Sequence, residues 1–196
     1  MRRAVFLDRD GTLVDELGFL RDPADLRLLP GAAEGLRLFN RAGWLAIVVT
    51  NQSGIARGLF DERQLAEVHA RLEAELARRD ARLDAILYCP HHPDHGRAPL
   101  RMTCTCRKPA AGMLLAAAER FALELGACWT VGDSLRDLEA GRRAGLAGGI
   151  LVLTGKGRDE LARASAGASV LTAADLPTAA RAILASTPEA APDQGR

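Results

Sequence analysis

The stretch that decides the fold is VFLDRDGTLVDE, residues 5–16. A short apolar run comes immediately before Asp8 and Asp10, which a single arginine separates. Such a run predicts a strand that is buried on both faces of a parallel sheet. Two nearby carboxylates repel each other, and each is costly to bury alone. The stretch is therefore either a solvated strand end or one side of a cation site. In an extended chain Asp8 and Asp10 share one side, and Arg9 is expected on the opposite face.

The rest of the chain alternates similar apolar runs with amphipathic helical patterns. Strands are predicted over residues 4–7, 44–50, 85–88, 129–131 and 149–153. Helices are predicted over residues 32–42, 110–125 and 135–144, with two more that begin at 61 and 175. This alternation predicts an α/β fold of the Rossmann-like, doubly wound kind, in which a mostly parallel sheet carries helices on both faces.

Length and composition limit the classes of function. The chain has 196 residues with 26 basic and 25 acidic side chains, a net charge of +1, and 4% aromatic residues. One domain over residues 1–186 is predicted, followed by a disordered tail over 187–196. The charge argues against a nucleic-acid or membrane partner, and no apolar run approaches the roughly 18 residues of a membrane span. A cytoplasmic monomer that acts on a small molecule is expected.

Polar residues follow three predicted strands at the edge where a parallel sheet binds ligands. Asp8 follows the first strand, Thr50 ends the second, and Asp133 follows the fourth. Clustered carboxylates suit Mg²⁺. Arg107 and Lys108 open the helix predicted from residue 110, and a helix N-terminus suits anions. Together these groups predict a phosphoryl-transfer site.

Four motifs carry a resemblance to a known family. DRDGT (8–12), TNQSGIARG (50–58), RKP (107–109) and VGDSLRD (131–137) resemble, in order and spacing, the motifs of the haloacid-dehalogenase (HAD) superfamily of phosphohydrolases. The resemblance implies that Asp8 is the nucleophile that forms an aspartyl-phosphate, and that Asp10 is the general acid and then the base. It implies that Thr50 and Lys108 hold the phosphoryl oxygens, with Mg²⁺ bound by Asp8, the backbone carbonyl of Asp10, and Asp133. Asp137 either supports this site or only favours its helix N-terminus.

A second metal site is predicted between the third strand and RKP. Its ligands would be two tight pairs on one loop with twelve residues between them, namely Cys89, His91, Cys104 and Cys106. Three thiolates and one imidazole suit a closed tetrahedral Zn²⁺, with His92 and His95 as alternative fourth ligands. Because Cys106 directly precedes Arg107 and Lys108, we hypothesise that zinc orders both cations. Cys128 is expected in the core, and His69 on a solvated helix face.

The short segments after the first and second motifs predict an open site with no large cap domain. Within the superfamily, the zinc loop before RKP is similar to that of two groups of phosphatases. One removes the 7-phosphate of D-glycero-D-manno-heptose 1,7-bisphosphate, and the motifs here look closest to it; the other acts on histidinol phosphate. The resemblance to the heptose group implies a set of sugar-binding residues, Glu16, Leu17, Gly18, Phe19, Asn51, Gln52, Ser53, Arg107 and Ser134.

Two departures from the heptose pattern concern the sugar contacts. Ser134 stands where that group often has lysine, and Leu17-Gly18-Phe19 stands where it often has His-Gly-Tyr. Alternatives outside sugar metabolism are a polynucleotide 3′-phosphatase, a phosphorylated signalling receiver, and a zinc module for nucleic acid. Scarce aromatic residues argue against a DNA groove. A receiver would have no need of Asp10 as an acid or of a zinc loop.

Overall fold

The computed structural model describes residues 2–164 and 170–187. Its centre is a six-stranded sheet in which every pairing is parallel. The strand order is β3-β2-β1-β4-β5-β6. The strands are β1 (Ala4–Leu7), β2 (Leu45–Asn51), β3 (Ala85–Cys89), β4 (Trp129–Gly132), β5 (Gly148–Val152) and β6 (Thr172–Ala173). The five predicted strands are confirmed to within a residue or two, whereas the sequence analysis missed β6, which has only two residues.

In the described residues, six helices flank the sheet. They are α1 (Ala32–Arg41), α2 (Glu62–Ala77), α3 (Gly112–Phe121), α4 (Leu135–Ala144), α5 (Gly157–Arg163) and α6 (Leu176–Ser186). Two 3-10 turns, Pro23–Asp25 and Leu125–Ala127, complete the regular structure. Apart from Thr187, the predicted tail over 187–196 lies outside the described residues.

Helices cover both faces of the sheet, as a doubly wound fold requires. On one face Val5 and Leu7 belong to a core to which α1, α2 and α6 contribute, for example through Phe39, Val68 and Ile183. On the other face, residues of α3 and α4 pack with alternate strand residues, which are Ala4, Phe6, Ile47 and Val49. This alternation along β1 confirms the predicted architecture and fixes which side of each strand end is available for chemistry.

Two helices differ from the prediction. α3 is shorter than the predicted 110–125, because it begins at Gly112 and ends at Phe121, where Ala122 adopts a left-handed conformation with φ +51°. α5 was not predicted; it has seven residues, and Lys156, the N-cap residue before it, makes no side-chain cap hydrogen bond. The usual sequence signals of a helix start are therefore missing.

The connections above the sheet edge are loops, and in the described residues none of them contains an α-helix or a strand. Ten residues separate β2 from α2, and the loop over residues 90–111 joins β3 to α3. No cap domain is evident in residues 2–164 and 170–187. In those ranges no helix has both the length and the apolar character needed to cross a bilayer.

Candidate active site

The carboxyl ends of β1 and β4 bring the predicted carboxylates together. Asp8 continues the pairing of these strands, since its amide donates to the Val131 carbonyl at 3.0 Å. One oxygen from each of Asp8, Asp133 and Asp137 lies within 4.8 Å of the others, and all three residues are buried. Gly11 permits this packing: its φ is +77°, and a Cβ at this position would lie 2.0 Å from Asp133 Oδ2. Only glycine lets the β1 loop pass so close to the carboxylate.

Lys108 is buried between two of these carboxylates. Its Nζ lies 2.9 Å from Asp8 Oδ1 and 2.7 Å from Asp137 Oδ1. Burial alone would lower the pKa of Lys108, but the charges of Asp137 and Asp8 outweigh it and raise the pKa. Asp137 also accepts from the Ser134 amide at 3.1 Å in a capping box at the start of α4. The two roles left open for Asp137 therefore coexist, since it contacts the lysine and also caps the helix.

Asn51 fixes the backbone of Lys108. Its Nδ2 donates to the Lys108 carbonyl at 3.1 Å, and its Oδ1 accepts from the Lys108 amide at 3.0 Å. The expectation that Arg107 and Lys108 open a helix from residue 110 is wrong, because α3 begins only at Gly112. Side-chain hydrogen bonds from the end of β2 replace the helix N-terminus in placing this cation.

Asp8 and Asp10 have opposite pKa shifts. Burial favours the protonated form of Asp8, yet the charge and hydrogen bond of Lys108 hold the pKa of Asp8 below its ordinary value. At Asp10 burial prevails over the Arg9 charge, with Asp8 adding to it, and raises the pKa. One carboxylate is thus kept ionised and the other is biased toward carrying a proton. Such a pair can serve as nucleophile and general acid.

The expectation that Arg9 points away from this pair is wrong. Its side chain is fully buried, and Nη2 donates to both oxygens of Asp10 at 2.9 Å. Gln52 Nε2 donates to Asp10 Oδ2 and to Thr50 Oγ1, each at 2.9 Å. The Asp10 carboxylate is therefore held from two sides. The reason for the difference is that a long arginine side chain can reach an adjacent carboxylate, whatever the direction of its Cβ.

The carboxylate cluster fits a small hard cation. Asp133 Oδ1 is buried and has no hydrogen-bond partner in the part of the chain that the structure describes. Burial raises the pKa of Asp133 to about 7. An unpartnered carboxylate oxygen beside two other carboxylates is a ligand set that Mg²⁺ accepts. Asp8, Asp133 and the carbonyl of Asp10 are the groups that could hold it.

A cleft of about 150 Å³ opens above these residues. The predicted residues on its wall are Asp8, Asp10, Glu16, Gly18, Phe19, Thr50, Asn51, Gln52, Ser53 and Arg107. Leu17 and Ser134 are not on this wall: Leu17 is 54% exposed, and the Ser134 hydroxyl donates to Glu160 at 2.9 Å. Two wider hollows, of about 730 and 820 Å³, include none of the carboxylate cluster.

Two cations on the wall were missed by the sequence analysis, Arg136 and Lys156. Lys156 follows β5 at the same sheet edge, so the strand-end argument used for Asp8 and Asp133 would have found it. Its amide donates to Asp133 Oδ2 at 2.8 Å, and its Nζ pairs with Glu16 at 2.8 Å. Arg136 lies in the first turn of α4, where the sequence gives no signal beyond its nearness to Asp133.

The predicted zinc ligands form a second cluster beside the cleft. Cys106 Sγ lies 3.2 Å from both other sulfurs, Cys89 and Cys104 are 3.6 Å apart, and His91 Nδ1 is 3.4 Å from Cys106. A tetrahedral zinc with Zn–S bonds of about 2.3 Å separates its sulfur ligands by about 3.8 Å. The donor set therefore fits Zn²⁺ through Nδ1 of His91. Cys128 is buried elsewhere, in the core, as expected.

Comparison with known proteins places this geometry in a family. The HAD-hydrolase-like family model matches residues 105–179. D-glycero-beta-D-manno-heptose-1,7-bisphosphate 7-phosphatase of Photorhabdus laumondii is 39% identical over 180 residues, which cover 92% of this chain and 96% of the relative. The enzyme of the same name from Escherichia coli K12 is 40% identical over 176 residues, 90% of this chain and 92% of the relative.

Solved structures agree with the sequence relatives. The crystal structure of D,D-heptose 1,7-bisphosphate phosphatase from B. bronchiseptica, complexed with magnesium and phosphate, superposes with a TM-score of 0.83 at 37% identity. That match covers 95% of this chain and all of the other. The corresponding enzyme from Burkholderia thailandensis gives a TM-score of 0.69 at 33% identity, over 94% and 99% of the two chains. The chain therefore belongs to the HAD-like hydrolases, in the family of the heptose-bisphosphate phosphatases, and is a phosphoric monoester hydrolase.

Proposed function

We propose that this protein removes the 7-phosphate of D-glycero-β-D-manno-heptose 1,7-bisphosphate in a Mg²⁺-dependent reaction through an aspartyl-phosphate. The observation that carries the proposal is the placement of Asp8, paired with Lys108 at 2.9 Å, and of Asp10, two residues on, in one cleft; their pKa values shift in opposite directions. The near full-length match to enzymes named for this activity supports the choice of substrate and of the β anomer.

In the first step the ionised carboxylate of Asp8 attacks phosphorus, and the bond to the O7 oxygen of the sugar breaks. Asp10 gives its proton to that oxygen, which leaves as an alcohol. Lys108 and Thr50 hold the phosphoryl oxygens during the transfer. Asp8, Asp133 and the Asp10 carbonyl would hold Mg²⁺, which would supply positive charge that offsets the phosphoryl oxygens and makes a weak carboxylate nucleophile sufficient.

In the second step Asp10, now ionised, takes a proton from water. The resulting hydroxide attacks the phosphorus of the aspartyl-phosphate, and the Asp8 carboxylate leaves with its electron pair. Inorganic phosphate is released, and Asp10 is again protonated for the next turnover. Each residue returns to its starting state, so no further reactant is required.

The walls of the cleft support a substrate with a second phosphate. Arg107, Arg136 and Lys156 line the same cleft as the nucleophile. An arginine fork suits a phosphate. Glu16, Gly18 and Phe19 are placed to contact the sugar, as are Gln52 and Ser53.

We also propose that zinc fixes the segment that carries Arg107 and Lys108, without taking part in the chemistry. Arg107 Nη1 donates to the carbonyl of His91 at 3.3 Å, so a zinc ligand residue contacts the substrate-facing cation directly. We propose further that the chain acts as a cytoplasmic monomer built as one domain over residues 1–186, with no nucleic acid among its substrates. A net charge of +1 supports a small-molecule substrate.

The test is phosphate release from a panel of substrates, with and without Mg²⁺. The panel contains both anomers of the heptose bisphosphate, histidinol phosphate, fructose 1,6-bisphosphate and 3′-phosphorylated DNA. We expect the β-heptose bisphosphate to have the highest kcat/KM, with no release by Asp8→Asn. Faster phosphate release from histidinol phosphate or DNA would overturn the substrate assignment. Mg²⁺-dependent phosphate release by Asp8→Asn would overturn the aspartyl-phosphate mechanism.

A further inference from the structure

A buried histidine lies behind the acid–base residue. His69, on α2, is 9% exposed, although the sequence analysis expected it on a solvated face. Its Nε2 lies 3.2 Å from Nη1 of Arg9, and its ring centroid is 6.0 Å from that of Tyr88. His69 is buried because it belongs to the same buried stripe of α2 as Leu65, Val68, Leu72 and Leu76.

The direction of the hydrogen bond between these two residues is fixed by chemistry. A guanidinium only donates, so His69 Nε2 must accept from Arg9, and the histidine proton is on Nδ1. Burial, together with the Arg9 charge, lowers the pKa of His69 to about 3. The ring is therefore neutral at the pH of any ordinary assay, and its acceptor is always available.

Arg9 connects His69 to Asp10. While Nη1 donates to His69, Nη2 donates to both oxygens of Asp10, and Nε donates to Oδ1 at 3.1 Å. A planar guanidinium bonded at all three nitrogens has no free rotation. The orientation of the Asp10 carboxyl group thus depends on the plane of Arg9, and that plane depends on an acceptor in α2.

We propose that His69 is a positioning residue for proton transfer: by accepting from Arg9, it holds the guanidinium that aims Asp10 at the leaving oxygen. This inference rests on the proposed function, because it requires Asp10 to be the general acid. His69 itself touches neither substrate nor the reacting atoms. Its effect should therefore appear only in steps in which Asp10 transfers a proton. Of these, kcat/KM reports the first, the departure of the leaving oxygen, because the attack of water follows the irreversible release of the leaving group.

The leaving group provides a readout that a merely structural role would not affect. A sugar alkoxide needs a proton to leave, whereas the nitrophenolate of p-nitrophenyl phosphate is stable without one. We expect His69→Leu to lower kcat/KM for the sugar phosphate roughly 10- to 100-fold. The loss for p-nitrophenyl phosphate should be within about threefold. Asp10→Asn is measured alongside. Because it removes the acid completely, it shows how large the difference between the two losses in kcat/KM can become.

Two further variants separate positioning from packing. His69→Gln keeps an acceptor that can reach Arg9, and we expect it to recover most of the loss on the sugar phosphate. Val68→Ala opens a cavity in the same turn of α2 without touching Arg9; it should lower Tm and leave the ratio of the two substrates unchanged. If His69→Leu does not fold, His69→Asn takes its place in the comparison with His69→Gln, because the asparagine side chain is too short to reach Arg9.

The outcomes distinguish this inference from the proposed function. The role of His69 would be overturned if His69→Leu lowered kcat/KM equally for both substrates or for neither. It would also be overturned if His69→Gln failed to recover the activity on the sugar phosphate. If Asp10→Asn lowers kcat/KM equally for the sugar phosphate and for p-nitrophenyl phosphate, the general acid is misassigned, and both proposals fail. Selective loss with His69→Leu and recovery with His69→Gln would establish the positioning role.

Discussion

Two aspartates separated by one residue differ in chemistry because they contact different cations. Asp8 contacts Lys108 directly at 2.9 Å, and this compact charge keeps it ionised despite complete burial. Asp10 contacts Arg9, but burial and the nearby Asp8 charge prevail over the guanidinium. The DxD pattern by itself does not divide the roles, since the division depends on residues far away in the sequence.

Asp133 makes the effect of Mg²⁺ on stability depend on pH. Its pKa of about 7 in the folded chain exceeds the ordinary 3.8, so without metal the folded state holds a proton that the unfolded state has lost. The Mg²⁺-free protein should therefore lose stability as pH rises from about 4 to 7, by at most about 1.4 kcal/mol per pH unit. Mg²⁺ binds the ionised form, so its stabilisation should be larger at pH 8 than at pH 5.

The measurement is Tm with and without saturating Mg²⁺ at both pH values, in protein freed of Mg²⁺ by dialysis so that zinc is kept. Asp133→Asn is the control, and its Tm should respond little to Mg²⁺ at either pH. An equal Tm increase at pH 5 and pH 8 in the unaltered protein would contradict this account of Asp133.

Asn51 is expected to act on kcat more than on KM. Asn51→Ala removes both hydrogen bonds that hold the Lys108 backbone. Losing them should lower kcat roughly tenfold, which corresponds to about 1–2 kcal/mol. Ser53→Ala, which alters the cleft wall without touching Lys108, should instead change mainly KM. Steady-state kinetics on the heptose bisphosphate distinguish the two. A rise in KM alone for Asn51→Ala would assign it to sugar binding.

At the scale of elements, the chemistry depends on a long connection as much as on the sheet. Residues 90–111 form no helix or strand of the described fold, yet they contain Arg107 and Lys108. Such a segment would ordinarily be too mobile to hold a buried charge. Here Cys89, at the end of β3, and the Cys104–Cys106 pair come together at its two ends.

Removal of zinc should therefore disturb substrate binding and stability together. Cys104→Ser leaves three of the four ligands, and we expect a lower Tm and a several-fold higher KM for the heptose bisphosphate. Cys128→Ser is the matched control, since this thiol lies outside the cluster and its loss should leave zinc content unchanged. A zinc-free protein with unaltered KM and Tm would show that the cluster does not order the loop.

Sequence patterns predicted the elements that have strong periodicity and failed on the short ones. The run before Asp8 is a local signal. So is Asp61 with Gln64 three residues later, which form a capping box at the start of α2, and both elements occur where predicted. β6 and α5 have two and seven residues, too few for a period to emerge. The directions of Arg9 and His69 were wrong because they depend on each other across 60 positions, and neither residue alone indicates that contact.

At the scale of the whole molecule, charge is distributed unevenly although the total is near zero. The net charge is +1, yet Arg107, Arg136 and Lys156 line one cleft together with Asp8 and Asp10. A substrate with two phosphates could pair one phosphate with these cations, while the other lies at Lys108 and at a Mg²⁺ held by the carboxylates. The bulk composition therefore argues against an extended polyanion but not against a compact one.

The second phosphate should contribute strongly to specificity. We expect heptose 7-phosphate, which lacks the 1-phosphate, to have a kcat/KM roughly 10- to 100-fold below that of the bisphosphate. Arg136→Ala should narrow this difference, with little effect on the monophosphate. Kinetics with both substrates at two salt concentrations provide the check, and added salt should weaken the bisphosphate preference. Equal kcat/KM values for the two substrates would remove the proposed role of these cations.

The way in which the loop over residues 90–111, between β3 and α3, is held near both of its ends also has an evolutionary consequence. Its outermost residues, 93–99, are exposed, while Lys108 is held by Asn51 and by the thiol cluster rather than by the length of the intervening chain. Lengthening a surface loop costs little free energy once its ends are fixed. Segments of new shape can therefore be grafted at residues 93–99 without moving the reacting groups. The scaffold thus separates the part of the chain that can diversify from the part that must stay constant.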